Sequence, residues 1–176
     1  DADFNFYNLS IGDGTNAKTV DMDASSQTLD VDGNLTIKTS ATFDTSGKAV
    51  DIAGSVDIDG IFTANGSTIT ISGNWDSSGG TFNYNTSTVT FTNASSTSTL
   101  TGSTTFYGLV STASGKNVKF TSGTTTYVTG HLNFENITLR STTNGATWYL
   151  TLSGTQDVDS VDVQDSNASG GNTIIA

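Results

Sequence analysis

Aspartates spaced two residues apart are the feature of this sequence that most readily suggests chemistry. The pairs are Asp21/Asp23, Asp30/Asp32, Asp57/Asp59 and Asp157/Asp159, and the last pair is followed by Asp162 and Asp165. On a β-strand, residues i and i+2 share a face, so each pair directs two carboxylates to one side. If strands stack about 4.8 Å apart, carboxylates of neighbouring strands converge, and such oxygen clusters suit Ca²⁺.

A solvated acidic face is the simpler interpretation of the same aspartates, because outward charges keep a β-protein soluble and block edge pairing. The sequence contains neither the Gly-Gly-x-Gly-x-Asp nonapeptide nor an EF-hand loop. We therefore favour the solvated face and keep calcium as the alternative. The candidate ligands are first Asp157, Asp159, Asp162 and Asp165, and then Asp30, Asp32, Asp57 and Asp59.

Paired carboxylates also hydrolyse glycosides, but catalysis needs an acid, a base and substrate-binding cations or aromatics in one cleft. The chain has one histidine, His131, one arginine, Arg140, and neither a G-x-S-x-G motif nor a P-loop. We predict that it is not an enzyme and has no cofactor apart from the calcium alternative. A polysaccharide-cleaving β-helix is a less favoured interpretation of the paired aspartates.

Threonine tracts suggest a second minor alternative. Threonines alternate in residues 88–92, 97–101 and 124–126, and a flat threonine ladder on a solenoid resembles an ice-binding surface. Threonine is also simply a good exposed strand residue. We rank ice binding below a structural role, because ice-binding chains are more regular than this one.

The composition restricts the classes of protein that need to be considered. The 176 residues include 56 Ser and Thr, no Cys and no Pro, and the net charge is −11. This charge repels nucleic acid and anionic membranes, and no apolar run approaches the ~20 residues of a membrane span. The lack of Cys fits an exported protein without disulfides. The chain starts at Asp1 without Met, which fits a removed signal peptide and an arbitrary boundary equally well.

Apolar residues alternate with Asp, Thr or Ser along most of the chain, which is the pattern of half-buried strands. Examples are residues 28–37, 50–62, 67–75, 87–93 and 160–165. An apolar-x-Gly-x-apolar pattern is superimposed on this alternation, and it predicts bends or bulges at the corners of coils. The glycines that we take to mark it are Gly33, Gly54, Gly73, Gly102 and Gly130, at steps of about twenty to thirty residues.

Two similar stretches, Phe6-Tyr7-Asn8-Leu9 and Phe106-Tyr107-Gly108-Leu109, suggest an internal duplication. Each is followed by a Lys-x-Val and then a Gly-x-Leu. We predict an all-β, right-handed parallel β-helix or solenoid of short strands with glycine corners, in a single domain over 1–176. Two related multi-coil units would span 4–103 and 104–176. The alternative is a β-sandwich or jelly roll that exchanges a donor strand between subunits.

The stretch "TFYGL" with the following Lys-x-Val and Gly-x-Leu, and the closing "LSGTQDVDSVDVQDSNASGGNTI", give the chain a resemblance. It resembles the Thr/Asn/Gly-rich repeats of large secreted bacterial and archaeal surface proteins, which are adhesin-like or autotransporter-passenger-like. The resemblance implies a right-handed parallel β-helix and an extracellular or cell-surface structural role. It brings no catalytic residues.

Both ends of the sequence are strand-like and apolar, so an open-ended solenoid would expose its core and its strand edges at each end. We predict a secreted structural subunit that assembles with itself, head to tail, into a filament or surface layer. The stalk segment of a cell-surface adhesin is the alternative. The predicted interface residues are Phe4, Phe6, Tyr7, Leu9, Trp148, Tyr149, Ile174 and Ile175.

Asn-x-Ser/Thr triplets occur only slightly more often than chance predicts in a chain so rich in Ser and Thr. They are acceptor sites for glycans if the chain is exported to a glycosylating compartment. The candidate asparagines are Asn8, Asn34, Asn65, Asn85, Asn93, Asn136 and Asn167.

Overall fold

The computed structural model describes residues 4–22 and 27–175, and in these ranges the chain forms strands and turns without any helix. The strands are β1 (Phe4–Phe6), β2 (Leu9–Ile11), β3 (Lys18–Asp21), β4 (Leu29–Val31), β5 (Leu35–Ile37), β6 (Ala41–Asp44), β7 (Val50–Ile52), β8 (Val56–Ile58), β9 (Ile61–Thr63), β10 (Thr68–Ile71), β11 (Trp75–Asp76), β12 (Thr81–Asn83), β13 (Thr88–Phe91), β14 (Thr97–Thr101), β15 (Thr104–Ser111), β16 (Asn117–Phe120), β17 (Thr125–Glu135), β18 (Thr138–Ser141), β19 (Trp148–Leu152), β20 (Thr155–Asp159), β21 (Asp162–Val163) and β22 (Ser166–Gly171).

The strands wind into about eight stacked coils with three faces. Face A contains β1, β4, β7, β10, β13, the second halves of β15 and β17, and β20. Face B contains β2, β5, β8, β11, β14, β16, β18 and β21. Face C contains β3, β6, β9 and β12, then the first halves of β15 and β17, followed by β19 and β22. Every ladder is parallel, which confirms the predicted solenoid and excludes the antiparallel sandwich.

Residues at equivalent positions of successive coils lie directly above one another. One inward rung of face A runs through Phe4, Leu29, Val50, Ile69, Val89, Leu109, Leu132 and Gln156. Its members are 19 to 25 positions apart in the sequence. The coil length is therefore close to the predicted step, and it varies because the turns differ in length.

Alternating strand residues build the core. In β4, β5, β7 and β8 the apolar residues are fully buried, and the Asp or Thr between them faces outward. Large rings contact one another from coil to coil inside the solenoid: Phe43 and Phe62 of face C have centroids 5.4 Å apart, and the ring of Trp75 on face B lies 5.4 Å from that of Phe106 on face C. Offset and edge-on contacts of this kind add to the burial free energy of the rings.

Glycine forms a close stack at the corner between faces A and B. The amide of Gly54 donates to the carbonyl of Gly33 (2.9 Å), and that of Gly73 donates to Gly54 (2.7 Å). Beside this stack, side chains accept from the backbone of the next coil: the amide of Asn34 donates to Oδ1 of Asn8 (2.7 Å) and that of Ser55 to Oδ1 of Asn34 (2.9 Å). The corner is thus held by two parallel series of hydrogen bonds.

The five glycines taken from the sequence lie at corners, as predicted, but they are distributed over three different corners. Gly33, Gly54 and Gly73 share the corner between faces A and B. Gly102 follows β14 at the corner between faces B and C with φ of 89°, and Gly130 lies inside β17 where the chain passes from face C to face A. Glycine permits close backbone approach at each of these corners. The interval between two glycines therefore equals one coil only when both lie at the same corner.

Faces A and B are continuous along the stack, but the ladder of face C is interrupted between β12 and β15. The two stretches that suggested a duplication occupy different corners. Phe6-Tyr7 lies where face A ends, whereas Phe106-Tyr107 lies where face C passes into face A. The division into two related units stays a prediction.

We expect Gly54→Ala to destabilise the fold, because a Cβ at this position would lie 2.4 Å from the carbonyl oxygen of Gly33. Overpacking of this kind costs about 1–3 kcal/mol. The measurement is the free energy of unfolding from urea denaturation. Gly66→Ala is the matched control, because its Cβ would meet only Oγ1 of Thr86 at 3.3 Å, and it should change stability by less than about 0.5 kcal/mol. Equal effects of the two substitutions would contradict the close stack.

Candidate functional site: the two ends of the solenoid

The first coil exposes inward side chains that are buried one coil further on. Phe4 pairs with Leu29 and Phe6 with Val31, yet Phe4 and Phe6 are 47% and 40% exposed while Leu29 and Val31 are 3% and 0% exposed. Val20, on face C of the same coil, is 44% exposed. The difference arises because no described coil covers this end. The first coil therefore presents a cross-section of the core.

These side chains form an apolar groove of about 230 Å³. It is lined by Phe4, Phe6, Leu9, Val20, Asp21, Met22, Leu29 and Phe43. Asp21 is the one charged residue of this lining. Among the described residues, no strand pairs with the outer edges of β1, β2 and β3, so their backbone groups are free to accept a further parallel strand.

The last coil is different, because the chain crosses its open end. Gln156 occupies the inward position that Leu132 fills one coil earlier. Its Nε2 donates to the carbonyl of Thr173 (2.8 Å), and the amide of Ile175 donates to its Oε1 (3.0 Å). Ile174, between these two residues, packs against the core. We call residues 172–175 the end segment, and it covers part of the last coil.

An apolar cavity of about 210 Å³ remains beneath the end segment. It is lined by Leu132, Phe134, Leu139, Trp148, Leu150, Val158, Val161, Val163, Ser166, Ala168 and Ile174. The last coil therefore also presents apolar side chains, but they lie behind Ile174. The two ends of the stack are chemically alike inside and differ in how they are covered.

The predicted interface residues divide between the ends and one side. Phe4, Phe6 and Leu9 lie at the first coil, with Tyr7 at its corner and 77% exposed; Ile174 and Ile175 belong to the end segment. Trp148 is buried and stacks on Phe120 with centroids 4.0 Å apart, so of the pair Trp148-Tyr149 only the tyrosine reaches the surface.

The aspartates closest to the chain's end are spread over successive faces. Asp157 and Asp159 lie on face A, where each is exposed. Asp162 lies on face B and forms an ion pair with Arg140, and Asp165 accepts the amide of Gly145 (3.0 Å). In residues 4–22 and 27–175, no three Asp, Glu or His side chains are placed to hold one metal ion.

Of the earlier candidates, Asp30 lies on face A next to Asn5, which donates to it (3.2 Å), and Asp32 follows at the corner. Asp57 lies on face B, and Asp59 follows β8 at the next corner. Asp23 falls outside the described residues. Calcium binding by these carboxylates stays a prediction.

The surroundings of Asp57 disfavour the charged form of its carboxyl. Partial burial raises its pKa above the ordinary value of 3.8, and the charges of Asp59 and Asp76 raise it further. Asp76 lies on the adjacent coil in register with Asp57. The stacking that aligns apolar residues inside the solenoid thus also aligns like charges outside it.

The candidate glycan acceptors occupy turns and corners, except Asn167, which lies within β22. Oδ1 of Asn8 and of Asn34 accepts from the backbone of the next coil, as described above. Asn65, Asn85 and Asn136 adopt positive φ, of 52°, 44° and 53°. Oδ1 of Asn93 accepts from Ser95 and that of Asn167 from Ser169. Glycosylation stays a prediction.

Two features of the sequence take on a different meaning in the structure. The three threonine tracts lie on three different faces, and Thr126 is buried, so they form no common plane. Lys116 is completely buried, its Nζ donates to the carbonyls of Asn93 (2.8 Å) and Ser96 (2.9 Å), and burial lowers its pKa. It ties two turns of adjacent coils together.

Comparisons of the chain with protein-family models, with curated proteins and with solved structures gave no match. The part of the chain that the structure describes contains no helix that is long and apolar enough to cross a membrane.

We expect Asp57→Asn to stabilise the fold at pH 7. Since the folded-state pKa of Asp57 is raised, the parent loses stability as the pH rises through that pKa. Below pH 3.8 the carboxyl is protonated in both the folded and the unfolded state, so the free energies of unfolding of the parent and the variant converge there. The gain is at most about 1 kcal/mol, because Asp57 is exposed to solvent. Urea denaturation at pH 3 and pH 7 measures it.

Asp32→Asn is the control, because it removes the same charge from another exposed site. It should leave this pH dependence unchanged. Repeating the denaturation with Ca²⁺ tests the calcium alternative: stabilisation of the parent and not of Asp57→Asn would assign a calcium site there. Absence of any calcium effect would assign the carboxylates to a solvated face.

Proposed function

We propose that this chain is a secreted, non-catalytic structural subunit that assembles with itself, head to tail, into an extracellular filament or surface layer. The first coil of one copy stacks on the last coil of the next. The observation that carries the proposal is the exposed core cross-section at Phe4, Phe6 and Val20, beside three strand edges without partners among the described residues.

A second copy fits this surface because it offers the same geometry that coils offer each other within the chain. Each coil pairs with the next through parallel backbone ladders on its faces, and its inward side chains stack on those of its neighbour. A terminal coil of another copy supplies both the ladder edges and the apolar stack. Such a contact is heterologous and does not close on itself, so it produces filaments.

The sides of the solenoid support the same proposal. Outward strand positions carry Asp, Thr and Asn, and the chain has a net charge of −11. Charged and hydroxylated sides repel lateral association and stay solvated. Association is therefore directed to the ends.

A stalk segment of a cell-surface adhesin is the second candidate, and the end segment favours it. Gln156 and Ile174 close part of the last coil within the chain itself, so a second copy has to displace residues 172–175 before it can stack there. A stalk segment needs no self-association. It would hold a ligand-binding domain away from the cell surface.

We expect the purified chain to form unbranched filaments of one subunit's width in negative-stain electron micrographs. The double variant Phe6→Ser, Val20→Ser should abolish them, because it makes the groove of the first coil polar. Both side chains are already exposed, so the monomer should still fold. Tyr7→Ser, outside the groove lining, is the control and should leave the filaments intact.

A field of single particles at every concentration of the parent chain would refute the filament proposal. Filaments that disappear with a chelator would add calcium to the contact. Filaments that survive in both variants would place the contact elsewhere on the molecule.

We expect removal of residues 172–176 to lower the concentration at which filaments form, because it uncovers the apolar side chains of the last coil. Sedimentation velocity of the truncated and full chains measures this. Gln156→Leu should act in the same direction, because it removes both hydrogen bonds to the end segment. If the truncated chain and Gln156→Leu both remain monomeric, the stalk-segment proposal is favoured.

A further inference from the structure

Three of the five tyrosines lie on the outer surface in three consecutive coils: Tyr127 and Tyr149 on face C, and Tyr107 at the corner where face C passes into face A. Tyr107, Tyr127 and Tyr149 are 37%, 42% and 39% exposed, and the residues on either side of each are buried. Their rings therefore lie on the surface while their neighbours in the sequence anchor the strands. We call these three residues the tyrosine stripe.

The register places the stripe on a diagonal. Thr105 pairs with Tyr127, and Thr125 pairs with Tyr149, so each tyrosine is displaced by one coil and two residues from the next. With strands about 4.8 Å apart and about 3.3 Å per residue, neighbouring Cα atoms are about 8 Å apart. The three tyrosines therefore follow one diagonal of the surface, from the corner at Tyr107 across face C.

The ring of Tyr107 is held in a fixed position by a glycine. A Cβ at Gly130 would lie 2.7 Å from three carbons of this ring, so the ring lies directly against the backbone of the following coil. His131 meets the ring edge-on, with centroids 6.4 Å apart. The ring is therefore a preorganised platform and not a freely rotating side chain.

The surroundings of the stripe are uncharged, although the chain is strongly acidic. The other outward strand residues of face C from β15 onward are hydroxyl or amide residues: Thr105, Thr125, Thr129, Thr151, Asn167 and Ser169. On the earlier coils the outside of the same face carries Asp21 and Asp44. The stripe thus combines aromatic faces with neutral hydrogen-bonding groups.

We infer that the tyrosine stripe binds a linear, uncharged polysaccharide. The rings stack on the C–H faces of successive sugars, and the threonine hydroxyls and the Asn167 amide hydrogen-bond the sugar hydroxyls. An acidic polysaccharide is repelled by the net charge of −11. A diagonal row of separated, exposed tyrosines matches an extended chain of repeating units. This activity is independent of the proposed assembly through the ends.

The test is electrophoresis of the full chain in native gels that contain hydroxyethyl cellulose, mannan or soluble starch, with polygalacturonate as the acidic comparison. We expect retardation by at least one neutral polymer and none by polygalacturonate. The variants are Tyr107→Thr, Tyr127→Thr and Tyr149→Thr, singly and together, because Thr already occupies outward positions of this face. Each ring should contribute about threefold to tenfold in affinity.

Tyr7→Thr is the matched control, because it removes an exposed tyrosine outside the stripe, and it should bind like the parent. Gly130→Ala keeps all three tyrosines but displaces the ring of Tyr107, so it should bind more weakly. Thermal melting of each variant verifies folding. No retardation by any neutral polymer would overturn the inference, and so would a triple variant that binds like the parent. A triple variant that changes only the sedimentation of the chain would assign the stripe to contact between copies and would overturn it as well.

Discussion

In-register parallel stacking of the coils is the constraint on which the rest of this structure depends. Each backbone strand pairs with a strand one coil earlier, so every side chain lies about 4.8 Å from its counterpart. Inside, this produces continuous apolar rungs such as Leu29, Val50 and Ile69. Outside, the same alignment brings Asp57 beside Asp76, where it raises the pKa of Asp57. A strand position therefore tolerates only side chains that can pack about 4.8 Å from the equivalent side chain of the next coil.

Local patterns in the sequence were sufficient to predict the fold class and the orientation of most strand residues. Alternation in residues 50–58 identifies Val50, Ile52, Val56 and Ile58 as inward, and all four are buried. The glycines lie at corners as predicted, but their spacing did not show which corner each of them occupies, because that requires the length of each turn. Coils differ by several residues, so glycines from different corners occur at intervals that resemble a full coil. Strand geometry is encoded locally, whereas coil boundaries are set by turns whose length no short pattern reports.

The residues that sequence reasoning missed depend on contacts between coils. Lys116 is buried because the turn of the previous coil presents the carbonyls of Asn93 and Ser96 to its amine, and neither residue is near it in the sequence. Likewise, Tyr127 and Tyr149 form a diagonal only through the register of their strands. Both features could have been found by aligning the coils with one another, since residues about 20 positions apart are the true neighbours in this architecture.

The two ends of the stack differ in the side chains that they present to an associating molecule. At the first coil, the inward positions are Phe4 and Phe6, which lose exposed apolar surface when anything of matching shape stacks on them. At the last coil, the inward positions of β20 are Gln156 and Val158, and the amide of Gln156 must keep hydrogen-bond partners when it is covered. The end segment supplies those partners through Thr173 and Ile175. In the assembly proposed above, stacking on the last coil would require an exchange of hydrogen bonds as well as burial, so the end segment would oppose association at that end, whereas burial of Phe4 and Phe6 would favour association at the first coil.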